Sequence, residues 1–159
     1  MSENAISAQG TLIAVQELGV GEFFTLGELR DFTPPPLMRN PIETTAHNDI
    51  EEHFIVGIRR KGELQGQIGY RPSLESHARL VEAWRTGSRD IYRITYPDGP
   101  PGPDGARAYD DDGEPIGTQW LFSGFVTNVG PSAPVDDGLV ADFTVRPTNT
   151  MTFIDAVEA

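Results

Sequence analysis

Apolar and polar residues alternate in four stretches of the chain, and each alternation predicts a strand. At 63–70, Leu64, Ile68 and Tyr70 share one parity with Gly66, while Glu63, Gln65 and Gln67 take the other, as in a half-buried strand. Residues 90–96 set Tyr92, Ile94 and Tyr96 against Arg93 and Thr95. Residues 119–129 set Trp120, Phe122 and Val126 opposite Leu121 and Phe125. From 139 to 146, Leu139, Ala141, Phe143 and Val145 alternate with Val140, Asp142, Thr144 and Arg146. The last two read as an antiparallel pair joined by a long connector. Thr11–Gln16 is a further strand. Phe23–Phe32 is another, with a mixed face that predicts an edge position or a bulge at Gly27. Pro34-Pro35-Pro36 ends it, because three successive residues have no N–H for a ladder. The period changes to a helical one once. Leu74, His77, Ala78, Val81 and Trp84 fall on one helix face, Ser73 is placed as the N-cap, and Gly87 suits a left-handed C-terminal position.

Residues 37–62 carry no clear period. Asn40-Pro41 signals a turn, the following stretch is polar and acidic, and Arg59-Arg60-Lys61 concentrates three bases. A stretch of this kind is usually functional or disordered. Residues 97–117 form a second loop, rich in Pro, Gly and Asp, with six acids and one arginine. Strands with one inserted helix predict a mainly β fold: an antiparallel β-sandwich or barrel with one flanking α-helix. A length of 159 residues predicts a single domain, with residues 1–10 as an N-terminal arm, 37–62 as a loop, 97–117 as an acidic loop and 147–159 as a C-terminal arm.

Charge narrows the function. The formal net charge is −12, which argues against a general nucleic-acid binder because such binding needs cationic surface. It does not exclude a surface that nucleic acid must pass without sticking. Apolar runs are short, four residues at Leu12–Val15 and three at Phe54-Ile55-Val56, against the ~20 residues of a membrane helix, and no secretory core follows Met1. The chain has no cysteine, so it offers no disulfide, thiolate metal site or cysteine nucleophile.

Candidate chemistry is sparse. His47, Asp49 and His53 fall within seven residues and could ligate a metal, but a solvated polar loop fits them better. Asp110-Asp111-Asp112-Gly113-Glu114 resembles the middle of a calcium loop, yet Ala108 and Gln119 stand where its first and last acids belong. Ser73, Ser76 and His77 lie on one helix turn without a nucleophile elbow. Phe23, Phe24, Tyr92, Tyr96, Trp120, Phe122 and Phe125 could line a sugar or base platform, which keeps a small-ligand or carbohydrate-binding β-domain as the alternative reading. Aromatics at strand parity are more often core. No residue is assigned a catalytic or metal-binding role, and no cofactor is expected.

Three stretches together resemble the tail tube proteins of long flexible-tailed phages and of related gene transfer agents. They are Ile42-Glu43-Thr44-Thr45 with Asp49; Phe54 through Gly69, leading into Leu74–Trp84 and Gly87; and Phe125-Val126-Thr127 through Pro131, then Ala133-Pro134-Val135-Asp136-Asp137 and the strand to Arg146. The chain departs from that pattern at Arg59-Arg60-Lys61, where the family often has small or acidic residues. The resemblance implies a structural, non-enzymatic subunit made in the bacterial host cytoplasm and built into the virion tail. Its partners would be five further copies in a stacked hexameric ring, tape-measure and terminator or tip proteins, and double-stranded DNA passing without specific binding. No membrane is involved. The resemblance makes residues 37–62 an assembly loop, with inter-subunit contacts expected from Ile42, Glu43, Thr44, Thr45, Asp49, Phe54, Ile55, Arg59, Arg60 and Lys61. The three bases are expected to meet an acidic patch on the next subunit, with Asp110–Asp112 as the candidate. Glu63, Gln65, Gln67, Asp142 and Thr144 are candidates for the lumen.

Overall fold

The computed structural model describes residues 11–17, 22–101, 107–111, 113–133, 138–148 and 151–157. Residues 1–10, Asp112 and the Pro134–Asp137 motif lie outside the described residues. The described chain runs β1 (Leu12–Gln16), β2 (Phe24–Thr25), β3 (Leu29–Thr33), β4 (Leu37–Glu43), β5 (Phe54–Lys61), β6 (Leu64–Gly69), α1 (Glu75–Thr86), β7 (Asp90–Thr95), β8 (Gln119–Ser132), β9 (Val140–Pro147) and β10 (Thr152–Ile154).

One antiparallel sheet has the order β2-β1-β7-β8-β9-β6-β3, with β10 added to β8. The long strand β8 joins its two halves. Its first part pairs with β7, from Thr95 opposite Gln119 to Asp90 opposite Gly124. Its second part pairs with β9, from Gly124 opposite Pro147 to Ser132 opposite Val140. The register shifts between Val126 and Asn128, a bulge that increases local twist. The alternating residues read from the sequence supply the core. Tyr92, Ile94, Phe122, Val126, Phe143, Val145, Leu64 and Ile68 cluster with Ile13 and Val15, and Leu80 and Ala83 of α1 close over them.

The helix begins one residue later than expected. Leu74 occupies the N-cap without a side-chain cap, and Gly87 takes the left-handed cap with its N–H on the Ala83 carbonyl. The buried face is also rotated: it is Ser76, His77, Leu80 and Ala83, while Trp84 is 55% exposed. The reason lies in the β2–β3 turn. Ser76 Oγ accepts the Gly27 N–H at 3.2 Å, and His77 Nε2 hydrogen-bonds the Gly27 carbonyl at 2.6 Å. His77 Nδ1 accepts from the Arg71 N–H at 3.0 Å, so Nε2 carries the proton. Polar side chains are buried here because they serve backbone groups that the sheet leaves unpaired. The same turn splits the predicted Phe23–Phe32 strand in two, with Glu28 at φ 54°.

A buried ion pair ties the middle of the helix to the start of β7. Arg79 Nε and Nη2 donate to the two Asp90 oxygens at 2.9 and 2.8 Å, Nη2 also reaches Ser88 at 2.8 Å, and Glu17 lies 3.2 Å away. The hydrogen bond to Asp90 raises the Arg79 pKa further, against the desolvation that lowers it.

Two differences concern strand extent. β8 continues through Gly130 and Pro131, which read as a connector, and β10 was not expected. The larger difference is residues 37–62. They form two strands rather than an irregular loop, and Asn40-Pro41 lies inside β4 instead of making a turn. Proline is tolerated there because β4 has an unpaired edge to which its missing N–H costs nothing.

Candidate functional site

Among the described residues, β4 and β5 pair only with one another, as a separate two-stranded sheet. The ladder runs from Leu37 opposite Lys61 to Glu43 opposite Phe54, a length of ~20 Å at ~3.3 Å per residue. This hairpin is an arm. It has a bulge, because Arg39–Pro41 on one strand spans the same distance as Arg59–Val56 on the other. Gly57 permits the bulge: a Cβ there would fall on the Asn40 carbonyl oxygen. Arg39 Nη1 donates to the Gly57 carbonyl at 3.3 Å.

The tip closes on itself. Thr44 N–H donates to the His53 carbonyl at 2.8 Å, His53 N–H donates to Thr45 Oγ1 at 2.8 Å, and the Ala46 N–H donates to the Asp49 carboxylate. These are the turn roles that short polar side chains fill. The metal reading finds no support in this geometry. His53 stands 4.0 Å from Asp49, and no three potential ligands gather among the described residues.

The arm's surface is apolar on both faces. Leu37, Met38, Ile42, Phe54, Ile55, Val56 and Ile58 are between 46% and 77% exposed, and Ile50 at the tip is fully exposed. A two-stranded hairpin is marginal in water by itself, and soluble monomers rarely leave contiguous apolar patches uncovered. Charge is divided along it. Residues 40–58 hold Glu43, Asp49, Glu51 and Glu52 with no lysine or arginine, whereas Arg39, Arg59, Arg60 and Lys61 gather at the base. A groove of about 550 Å³ opens at the base, lined by those four bases and by Leu37, Met38, Ile58, Met151 and Phe153. Among the described residues, no acidic one lines it.

The structure therefore brings Ile42, Glu43, Thr44, Thr45, Asp49, Phe54 and Ile55 together in the distal half of the arm, with Arg59, Arg60 and Lys61 at its base. Sequence reasoning missed Leu37, Met38, Val56 and Ile58 on the arm, and Met151 and Phe153 in the groove. The uninterrupted run Phe54-Ile55-Val56-Gly57-Ile58 was the available signal. With neither face buried against a core, such a run shows no alternation.

The polar parities meet on one sheet face. Gln65 stands opposite Thr144, and Gln67 opposite Asp142, with Gln67 Nε2 donating to Asp142 Oδ1 at 3.2 Å. Glu63 lies 3.4 Å from Arg146. Asp31 and Thr33 of β3 register with Gln67 and Gln65, and Asn128 of β8 registers with Thr144. The face has three acids, Asp31, Glu63 and Asp142, against Arg146. The aromatics form no common platform. Tyr92 and Phe122 stack in the core at 5.7 Å, Tyr96, Trp120 and Phe153 meet edge to face, and Phe23 lies 4.2 Å from the Arg93 guanidinium. Burial raises the pKa of the Tyr92 hydroxyl and pushes that of Tyr96 up to about 12.

An antiparallel β fold that leaves an apolar arm uncovered has the surface of a subunit that is covered by a neighbour. Solved structures share the fold. A subunit in the tail of an empty gene transfer agent particle is 13% identical, with a TM-score of 0.72, over 94% of this chain and 99% of that one. A chain of the anti-feeding prophage baseplate is 11% identical with a TM-score of 0.70, over 98% of both chains. A chain of the sheath–tube complex of an extracellular contractile injection system is 13% identical with a TM-score of 0.67, over 98% of this chain and 95% of that one. No curated protein matches by sequence. Residues 4–157 match the family described as phage tail tube, TTP, lambda-like, and the chain belongs to that family. It is a structural tube subunit and a component of the virion tail.

Proposed function

We propose that the chain closes into hexameric rings that stack into a tube, and that the tube conducts double-stranded DNA. The observation that carries the reading is the arm: an apolar hairpin with open edges needs a neighbour to cover it, and closed assembly removes such edges. The distal residues Ile42, Glu43, Thr44, Thr45, Asp49, Phe54 and Ile55 and the basal Arg59, Arg60 and Lys61 are the contact residues in this reading. The face of Glu63, Gln65, Gln67, Asp142 and Thr144, extended by Asp31, Thr33 and Asn128, lines the lumen. Six copies at −12 give −72 per ring, so phosphates are repelled and the duplex slides without being held. A tape-measure protein occupies the lumen during assembly, and terminator and tip proteins close the ends. The chain works as a wall, without catalysis.

Helical reconstruction of the assembled tube by cryo-electron microscopy tests this. The expected map has six subunits per ring with Asp31, Glu63 and Asp142 facing the channel. A map with these residues on the outer wall overturns the lumen assignment, and a different ring number overturns the hexamer.

A further inference from the structure

The two ends of the arm are opposite in charge, and they stand about 20 Å apart along one ladder. A tip therefore does not reach the groove at its own base. We propose that the arm tip, residues 46–53, seats in the basic groove at the base of the arm of a second copy of this chain; this rests on the tube reading. The tip presents Asp49, Glu51 and Glu52 around the fully exposed Ile50. The groove offers the matching surface, with Arg59, Arg60 and Lys61 as cations and Leu37, Ile58 and Phe153 as apolar walls. Neither set is satisfied within the chain: among the described residues, Glu51, Glu52, Arg59, Arg60 and Lys61 make no ion pair.

The acidic loop is a poorer partner for the bases. Asp111 is engaged by Arg107 at 3.0 Å, and Asp110 accepts the Glu114 N–H at 2.9 Å. The tip keeps its shape through Asp49 and Thr45, so Glu51, Glu52 and Ile50 are free to make the contact. The contact is head to tail. Each copy offers one tip and one groove, so the interface propagates from subunit to subunit instead of closing a dimer. Burying Ile50 and covering the hairpin drives docking, while opposite charge selects the register and speeds encounter.

The test is charge complementation. Glu51→Lys/Glu52→Lys gives a tip and a groove that are both basic; Arg59→Glu/Arg60→Glu/Lys61→Glu gives a tip and a groove that are both acidic. Each protein alone is expected to need about a hundredfold more protein to form sedimenting tubes than wild type, because like charges then meet. An equal mixture is expected to assemble near the wild-type concentration, since each tip now finds an opposite groove. Circular dichroism and melting confirm that both variants are folded. Assembly of either variant alone at the wild-type concentration, or a mixture of folded variants that stays dispersed, overturns the docking. Wild-type protein that forms no tubes overturns self-assembly of the purified chain, on which the proposal rests, and is distinguished from a failure of the docking. Because the chain lacks cysteine, Ile50→Cys and Ile58→Cys single variants give an independent readout: assembled mixtures should yield a disulfide-linked heterodimer, and its absence overturns the placement.

Discussion

Asp90 is the residue whose loss should destabilise the fold most directly through a single named contact. It is fully buried and holds the Arg79 guanidinium, itself 11% exposed, with two hydrogen bonds. Asp90→Ala removes both bonds and leaves a buried cation facing Ser88 and the half-exposed Glu17. Breaking a buried pair by deleting one partner costs about 3–5 kcal/mol. Glu17 offsets part of that, which places the expectation near ~3 kcal/mol. For a chain of this size each kcal/mol shifts the melting midpoint by about 2–4 °C, so the midpoint should fall by about 6–12 °C. Differential scanning calorimetry of the dispersed protein measures it. In a double-mutant cycle with Arg79→Ala, the combined loss should be smaller than the sum by about 1–3 kcal/mol, because the second deletion removes the stranded charge. A fall below about 2 °C, or strict additivity, would refute the idea that this pair clamps α1 to β7. The clamp lies apart from the arm, so Asp90→Ala protein kept below its midpoint should still assemble.

Other substitutions separate fold from assembly. Tyr92→Phe deletes a buried hydroxyl that has no hydrogen-bond partner among the described residues, and should leave stability unchanged or raise it by about 1 kcal/mol in urea titration; a loss above about 1 kcal/mol would show that the hydroxyl is paired. Gly57→Ala should break the arm's bulge while leaving the melting midpoint within about 2 °C of wild type, and tube yield should collapse; normal tubes would refute the role of the bulge. Stability should fall as pH rises from about 10 toward 12. In that window unfolded tyrosines release their protons, whereas folded Tyr96, with its pKa pushed up to about 12 by burial, and Tyr92 keep theirs, so alkali favours the unfolded chain. Tyr96→Phe should flatten that fall, and an unchanged alkaline slope would count against it.

How much of this was legible depends on what each segment packs against. Leu64 and Ile68, Tyr92 and Ile94, and Phe143 and Val145 alternate because one face of each strand meets the core, so their parity could be read directly. The polar face of Gln65, Gln67, Asp142 and Thr144 was legible for the same reason, although which strands it bridges was not. The helix face was misplaced because Ser76 and His77 are buried for hydrogen bonding, which hydropathy does not register, and Trp84 is left outside. The arm was illegible as strands. Neither of its faces is buried within the chain, so alternation has no cause, and Asn40-Pro41 imitates a turn. Its concentration of charge was still visible in Arg59-Arg60-Lys61, three bases in an acidic chain.

The most direct test of the account replaces residues 40–58 with Asn-Gly, joining Arg39 to its ladder partner Arg59 through a two-residue hairpin turn. Sedimentation velocity and negative-stain electron microscopy are then compared with wild type over a concentration series. The account predicts that wild type forms tubes of stacked rings, while the shortened protein melts like wild type and stays dispersed. Tubes from the shortened protein at the wild-type concentration would contradict it.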